Sequence, residues 1–452
     1  MDENDTKACK RRKFKFSHIL ILLLLGCITT FIIFRYSTKS KLQAKIDAIR
    51  TAGYPVTCEE LDKWYSSPPD DENGAYIVMD AVSYYQDWDK DALEPMPILG
   101  KGQLPARTEP LAEETKALIA EYLSDNQKAL DLLHEAAPYE HSRYPLDFTL
   151  GAGIRLNHIG GIRKGAMLLN LETILHSEND QPQSAARSIT SIFGVANSLR
   201  AEPLNISQLV RWACQGLGVS ALERAVNRNE FTDKQLQELG KVVAESEDFS
   251  AIYRALIGER CNTLGIMRMS GEVIQELAGE GIPPAPVLEL YKALGLVDLD
   301  AITYIDFIND YIEAARLPLH QSHKAAGEID SRFEKLSKVH LLTRALMPSF
   351  SRIIDIQLRS IAHLRAAGAA LAIERFKLAE GRLPERLSEL VPAYLEAVPT
   401  DPFNDEEIKY KKLDKGYVVY SVGEDLNDNG GKEKEPKQGG KSDWDITFIV
   451  ER

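Results

Sequence analysis

Residues Phe16 to Phe34 form an apolar run broken only by the polar side chains of Ser17, His18, Thr29 and Thr30, with Ile19 to Leu25 wholly apolar. In hydrocarbon, backbone N–H and C=O groups must bond within their own segment, so such a run folds as a helix. At 1.5 Å rise per residue, about 19 residues reach roughly 28 Å, enough for one membrane crossing. The sequence therefore predicts a transmembrane helix over 16–35 behind a basic cytoplasmic tail over 1–15. Lys10-Arg11-Arg12-Lys13-Phe14-Lys15 precede the run, whereas only Arg35, Lys39 and Lys41 follow it closely. The denser basic flank faces the cytoplasm, which puts the bulk of the chain on the far side. Two rival readings are a cleaved signal peptide and a lipoprotein start at Cys27, within Leu24-Leu25-Gly26-Cys27. Against both, the apolar run continues to Phe34, and Arg35 follows without a small-x-small cleavage site.

The other 400 or so residues are long enough for two or three cores. A net charge of −13 excludes a general nucleic-acid binder, which needs basic surface to meet phosphate. The five cysteines show no C-x-x-C spacing and no disulfide framework. Cys58, Cys214 and Cys261 are expected as buried free thiols, with one bridge among them as the alternative in an oxidising compartment.

Residues 36–110 read as juxtamembrane helices and a Pro/Gly-rich connection. Lys39 to Thr51 looks like a short helical extension. Thr57-Cys58-Glu59-Glu60 has capping-box spacing and predicts a helix that ends before Pro68-Pro69. The density of Pro and Gly over 89–110 predicts an exposed connection. Residues 111–347 read as an irregular, solenoid-like α-helical domain. Its expected helices cover 111–136, 154–176, 183–200, 205–227, 232–245 and 250–277, with cap signals at Asn205 and Thr232. Pro283-Pro284-Ala285-Pro286 interrupts before helical patterning resumes.

Residues 348–452 change character again. Ser351 to Ala379 predicts a long amphipathic helix with Ile354, Leu358, Ile361, Leu364, Leu371 and Leu378 near one stripe, stopped at Gly381. Strand patterns follow at 408–411, 416–422 and 444–450. The fold class is thus mainly α, with a C-terminal α+β module of one long helix and a small antiparallel sheet.

Between the last two strand patterns, Asp425-Leu426-Asn427-Asp428-Asn429-Gly430 fits the opening of a calcium loop, D-x-[DN]-x-[DN]-G. Alternating Asp425, Asn427 and Asn429 can converge oxygens on a hard cation. The EF-hand pattern then fails, because its twelfth position is Pro436 rather than a bidentate Glu. The competing reading is a solvated loop, whose negative charge Lys432, Lys434, Lys437 and Lys441 dilute.

From about Ile353 onward the chain resembles the soluble part of the major pseudopilin of type II secretion systems. The ordered blocks are Ala372-Ile373-Glu374-Arg375-Phe376 through Glu380-Gly381-Arg382-Leu383-Pro384, then Leu387-Ser388-Glu389-Leu390-Val391. Val398-Pro399-Thr400-Asp401-Pro402-Phe403, Tyr420-Ser421-Val422-Gly423-Glu424-Asp425 and Asp445-Ile446 complete the order. The resemblance covers under a quarter of the chain. It implies calcium in the loop before the last strand, with Asp425 and Asp445, joined by Asp443, closing the site.

Lys15-Phe16-Ser17-His18-Ile19 lacks the Gly and Glu of a pseudopilin processing site, and the apolar run lies more than 300 residues from the module. A pilus subunit is therefore not expected. The whole arrangement is similar to planctomycete-type membrane-anchored proteins, which implies a bacterial inner membrane with the bulk of the chain in the periplasm.

No catalytic constellation stands out. His320-x-x-His323 has helical spacing but no further ligand motif, and Gly151-Ala152-Gly153 and Gly160-Gly161 lack the strand-to-helix setting of a phosphate loop. No G-x-S-x-G or H-E-x-x-H occurs. The expectation is a non-enzymatic, single-pass envelope protein with protein partners and no identified small-molecule substrate. An accessory component of a secretion apparatus is the alternative, and an unrecognised hydrolase the third reading.

Overall fold

The computed structural model describes residues 16–278, 282–434 and 443–452. The basic tail over 1–15, and Pro436, Lys437 and Lys441 of the terminal loop, lie outside the described residues. The expected crossing and its extension form one uninterrupted helix, α1 (Phe16–Thr51). From Ile19 to Phe34 its large apolar side chains are exposed on every side. Past Arg35 the same helix becomes one-sided: Thr38, Leu42, Ile46 and Ile49 are buried at helical spacing.

The helix predicted at Thr57 is α2 (Cys58–Trp64), where the Glu60 N–H donates to the Thr57 hydroxyl at 3.2 Å. It is followed by α3 (Gly74–Ser83) and α4 (Lys90–Leu93). The expected exposed connection over 89–110 is partly folded down instead. Its prolines and glycines make turns that bond internally, with Lys101 N–H on Glu94 C=O at 2.8 Å and Gly100 N–H on Met96 C=O at 3.0 Å. This frees Met96 to be wholly buried in the core.

The run predicted over 111–136 is split into α5 (Glu113–Asp125) and α6 (Gln127–Ala136). Buried Asn126 sits at the break, accepting from Gln86 N–H at 2.8 Å and donating to Gln86 C=O at 3.1 Å. Next come α7 (Asn157–Glu178), α8 (Pro182–Asn197) and α9 (Asn205–Arg228), each packed on the other two. Asn205 does not cap α9; Gln208 reaches back to the carbonyls of Leu199 and Glu202, both at 2.9 Å. The Thr232–Gln235 capping box does open α10 (Asp233–Glu245).

The helix expected over 250–277 is two, α11 (Ala251–Ile266) and α12 (Gly271–Ala278). Beyond the proline-rich break come α13 (Ala285–Ala293), α14 (Leu296–Ala314), α15 (Leu319–Glu334) and α16 (Leu341–Leu346).

The long helix α17 (Phe350–Glu380) ends at Gly381, whose φ of 67° suits a residue without a Cβ. The sheet that follows is β1 (Lys409–Lys412), β2 (Tyr417–Ser421) and β3 (Ile446–Val450), antiparallel in the order β1-β2-β3 with Val419 opposite Tyr410 and Phe448.

Residue 348 marks a change along the chain but not a gap in packing. Leu364 to Phe376 of α17 share one hydrophobic cluster with α7–α10, β2 and β3. Ile353 to Leu358 share a second with α11, α14, α15 and Leu42, Ile46 and Ile49 of α1.

Candidate functional site

The terminal loop starts at Gly423, which follows β2, and its ends are fixed by two buried aspartates. Asp401 accepts the N–H groups of Phe403 at 2.9 Å and Val422 at 2.8 Å, tying the Thr400-Asp401-Pro402-Phe403 turn to the end of β2. Asp445 accepts from Asn429 at 3.2 Å and Gly431 at 2.7 Å, while its own N–H donates to Lys432 C=O at 2.8 Å. Burial pushes the Asp445 carboxyl up, against the pull of those two amides. Asp425 accepts the Asn427 N–H at 3.1 Å, the Asn429 side chain donates to the Asn427 carbonyl at 3.4 Å, and Asp443 pairs with Lys432 at 2.7 Å.

Of the five expected ligands, Asn429 and Asp445 are thus brought into contact, Asp425 and Asn427 form a turn of their own, and Asp443 faces a lysine. A calcium site needs six to eight convergent oxygens. Here the carboxylates already serve N–H donors and a lysine, so the set does not present a preformed cage. Among the described residues no three His, Cys, Asp or Glu side chains gather as a metal site. His320 and His323 are held apart in use: His320 lies 3.6 Å from Asp405, and His323 pairs with Asp355 at 2.6 Å.

The β3 edge is closed from the helical side. Glu223 and Asn227, one turn apart on α9, act as a surrogate strand. Ile449 N–H donates to Glu223 at 2.7 Å, Asn227 donates to Ile449 C=O at 2.8 Å, and Glu451 N–H donates to Asn227 at 2.8 Å. Burial pushes the Glu223 carboxyl up to about 7, opposed by Arg107 and the Ile449 amide.

Sequence reasoning missed a polar seam inside the helical core. His134 Nδ1 lies 2.8 Å from the Ser191 hydroxyl and Nε2 lies 2.9 Å from Glu172, which also accepts from Ser188 at 2.6 Å. Desolvation would raise the Glu172 carboxyl, but the His134 and His176 bonds outweigh it and bring it down to about 2. Ser, His and carboxylate in this order match the nucleophile–base–orienter pattern. Ser191 is nevertheless buried in the middle of α8, where the backbone amides are spent within the helix and supply no oxyanion hole. The seam ties α6, α7 and α8 to one another. The signal in the sequence was Asn170 and Glu172 inside the apolar stretch Met167 to Leu175.

A second polar cluster surrounds fully buried Arg211, which donates to Ser246 C=O at 3.0 Å and lies 3.5 Å from Asp248. Burial presses its guanidinium toward the neutral form and Asp248 opposes that; arginine keeps its charge under such conditions. Beside it opens a concavity of about 1050 Å³ lined in part by Pro69, His141, Asn197, Arg200, Glu247 and Arg254. Its cations are engaged: Arg200 donates to the carbonyls of Glu245 and Glu247, both at 3.0 Å, and Arg254 pairs with Asp248. Cys58, Cys214 and Cys261 are buried free thiols, and burial raises the pKa of each, so none is a ready nucleophile.

No protein-family model, curated protein or solved structure matches the chain.

Proposed function

We propose that this chain is a non-enzymatic, single-pass membrane-anchored envelope protein. Its helical body presents a surface to protein partners, and its C-terminal helix and sheet form a pseudopilin-like module used as a fixed structural part. One observation carries the reading: α1 is apolar and exposed up to Phe34, then enters the protein core within one turn at Thr38. A cleavable signal has no reason to be continuous with a buried structural helix, whereas a retained anchor does. The β3 edge, where the Ile449 N–H and C=O are bonded to Glu223 and Asn227, supports a built-in role for the module over strand-to-strand assembly.

The test is extraction of the full chain from bacterial membranes at alkaline pH, with determination of its N-terminus. Retention in the bilayer with an intact α1 supports the proposal. A soluble product beginning near Cys27, or a lipid-modified Cys27, overturns it. Protease accessibility from the periplasmic side reads the orientation.

The resemblance also implies a calcium-loaded terminal loop, a separate proposal. Calcium would bind through Asp425, Asp443 and Asp445 once Lys432 is displaced from Asp443. A melting midpoint that rises with calcium and falls with chelator supports it; an unchanged midpoint removes it.

A further inference from the structure

Past Phe34, α1 runs parallel to and in step with α14. Arg35 donates to Lys292 C=O at 3.1 Å and Ala293 C=O at 3.4 Å, just before α14 starts. Further along, Lys45 pairs with Asp306, and beyond the far end Arg316 donates to the Tyr54 hydroxyl at 2.7 Å. The sequence separations of these pairs are 257, 261 and 262, the near-constant offset of two helices rising together. Gly295, at a φ of 77°, completes the contact: a Cβ there would stand 2.2 Å from an Arg35 nitrogen. The start of α14 and the end of α13 are therefore level with Arg35, the residue at which the apolar run stops.

At that level the hairpin of α12 and α13 turns an apolar face outward. Ile274 and Leu288 bury its inner side. Val273 and Leu277 on α12, and Val287, Leu290 and Leu294 at helical spacing along and just past α13, are 36–60% exposed. Glu272, Glu276 and Glu289 flank them, with Lys292 paired to Glu289 at 3.2 Å, so the charge nearby is net acidic, an anionic surface would not be drawn by it, and apolar insertion is what the face offers. A scattered exposed leucine needs no explanation, but five such side chains on one hairpin, beside an exposed apolar helix, do.

We propose that the α12–α13 hairpin is an interfacial membrane element, its Val273, Leu277, Val287, Leu290 and Leu294 face seated at the headgroup–acyl boundary of the bilayer that α1 crosses. The proposal rests on the reading of residues 16–34 as a retained anchor, and it adds a second point of contact that fixes how the body lies against the membrane.

The test uses the full chain in phosphatidylcholine–phosphatidylglycerol nanodiscs, with Cys9→Ser and Cys27→Ser leaving only the buried thiols. Single cysteines at Leu24→Cys, Leu290→Cys or Leu317→Cys carry a polarity-sensitive fluorophore. Position 317 is the control, because it lies past α14, roughly 30 Å from Gly295 at 1.5 Å per residue. Brominated acyl chains are expected to quench the dyes at 24 and 290 at least about twofold and to leave 317 unchanged, as for side chains held in the acyl boundary. Quenching at 24 with 290 behaving like 317 overturns the hairpin proposal and leaves the anchor standing. No quenching at 24 removes the anchor reading, and the hairpin proposal with it. A dye at 290 shielded equally in detergent and unresponsive to bromine assigns the face to a second copy of the chain and also overturns the proposal. The double variant Val287→Ser, Leu290→Ser should keep the melting midpoint while abolishing the quenching of a dye at Leu294→Cys.

Discussion

The β3–α9 seam and the α12–α13 face are both margins of the folded body, and they are finished in opposite ways. At the seam the exposed liability was backbone polarity, and Glu223 and Asn227 cover it with side-chain donors and acceptors in strand-like spacing. At the hairpin the liability is apolar area, and no described element covers it. The one edge is sealed with three hydrogen bonds, while five aliphatic side chains stay open at the other margin.

The contrast breaks if the seam proves dispensable. Phe448→Ala, at a fully buried position of β3, is expected to lower unfolding free energy by about 3–5 kcal/mol in urea denaturation. Asn227→Ala strands the buried Ile449 carbonyl and the Glu451 N–H just past β3 and should cost about 2–3 kcal/mol. A loss under about 0.5 kcal/mol would mean that water replaces it and that the edge is not sealed.

Glu223 gives the seam a pH signature. Its folded pKa is raised from 4.5 to about 7, so between those values the folded state binds more protons than the unfolded one. This group's contribution is therefore present below about pH 4.5 and lost as pH rises through about 7. Glu223→Gln should flatten that decline and leave the variant more stable at pH 8, by an amount on the order of 2 kcal/mol. An unchanged pH profile would show that Arg107 keeps the carboxylate charged throughout.

The hairpin should behave in the reverse manner: Leu290→Ser ought to change folding stability by less than about 0.5 kcal/mol, because the side chain is 60% exposed. The smallest effect is expected at the terminal loop. Calcium should raise its midpoint by no more than about 2 °C, since hydrogen bonds to Asp445 already close it. A larger rise would show that the ion, rather than these bonds, organises the loop.

What the sequence disclosed was local. The apolar run, the Thr57 and Thr232 caps, the stop at Gly381 and the three strands are read from neighbours a few residues apart. The failures came where a distant partner decided. Asn126 breaks a helix because Gln86 is beside it; Met96 leaves a nominal loop because a core receives it; Asn205 is not a cap because it lies inside the helix and its side chain donates to Glu259. The candidate ligands show the same limit. Loop spacing could nominate Asp425, Asn427 and Asn429, and the pseudopilin resemblance Asp443 and Asp445, but Lys432 and two backbone amides decide what the oxygens of Asp443 and Asp445 face. The pairing of α1 with α14 joins residues more than 250 apart, so the spacing of Leu42, Ile46 and Ile49 marks a buried stripe without naming its partner.

That pairing has a mechanical meaning. A body joined to a membrane helix by a flexible linker can swivel and sample a wide volume. Here α1 passes from lipid-length apolar helix to packed core with no breaker residue between Phe34 and Thr38. Retained in a bilayer, as proposed, a helix clamped along one side would be a mast rather than a tether. Tilting it would tilt the whole body, and the height of every surface above the bilayer would be set by residue count. A partner would then meet this protein at one elevation and one attitude, with little orientational freedom left to lose on binding.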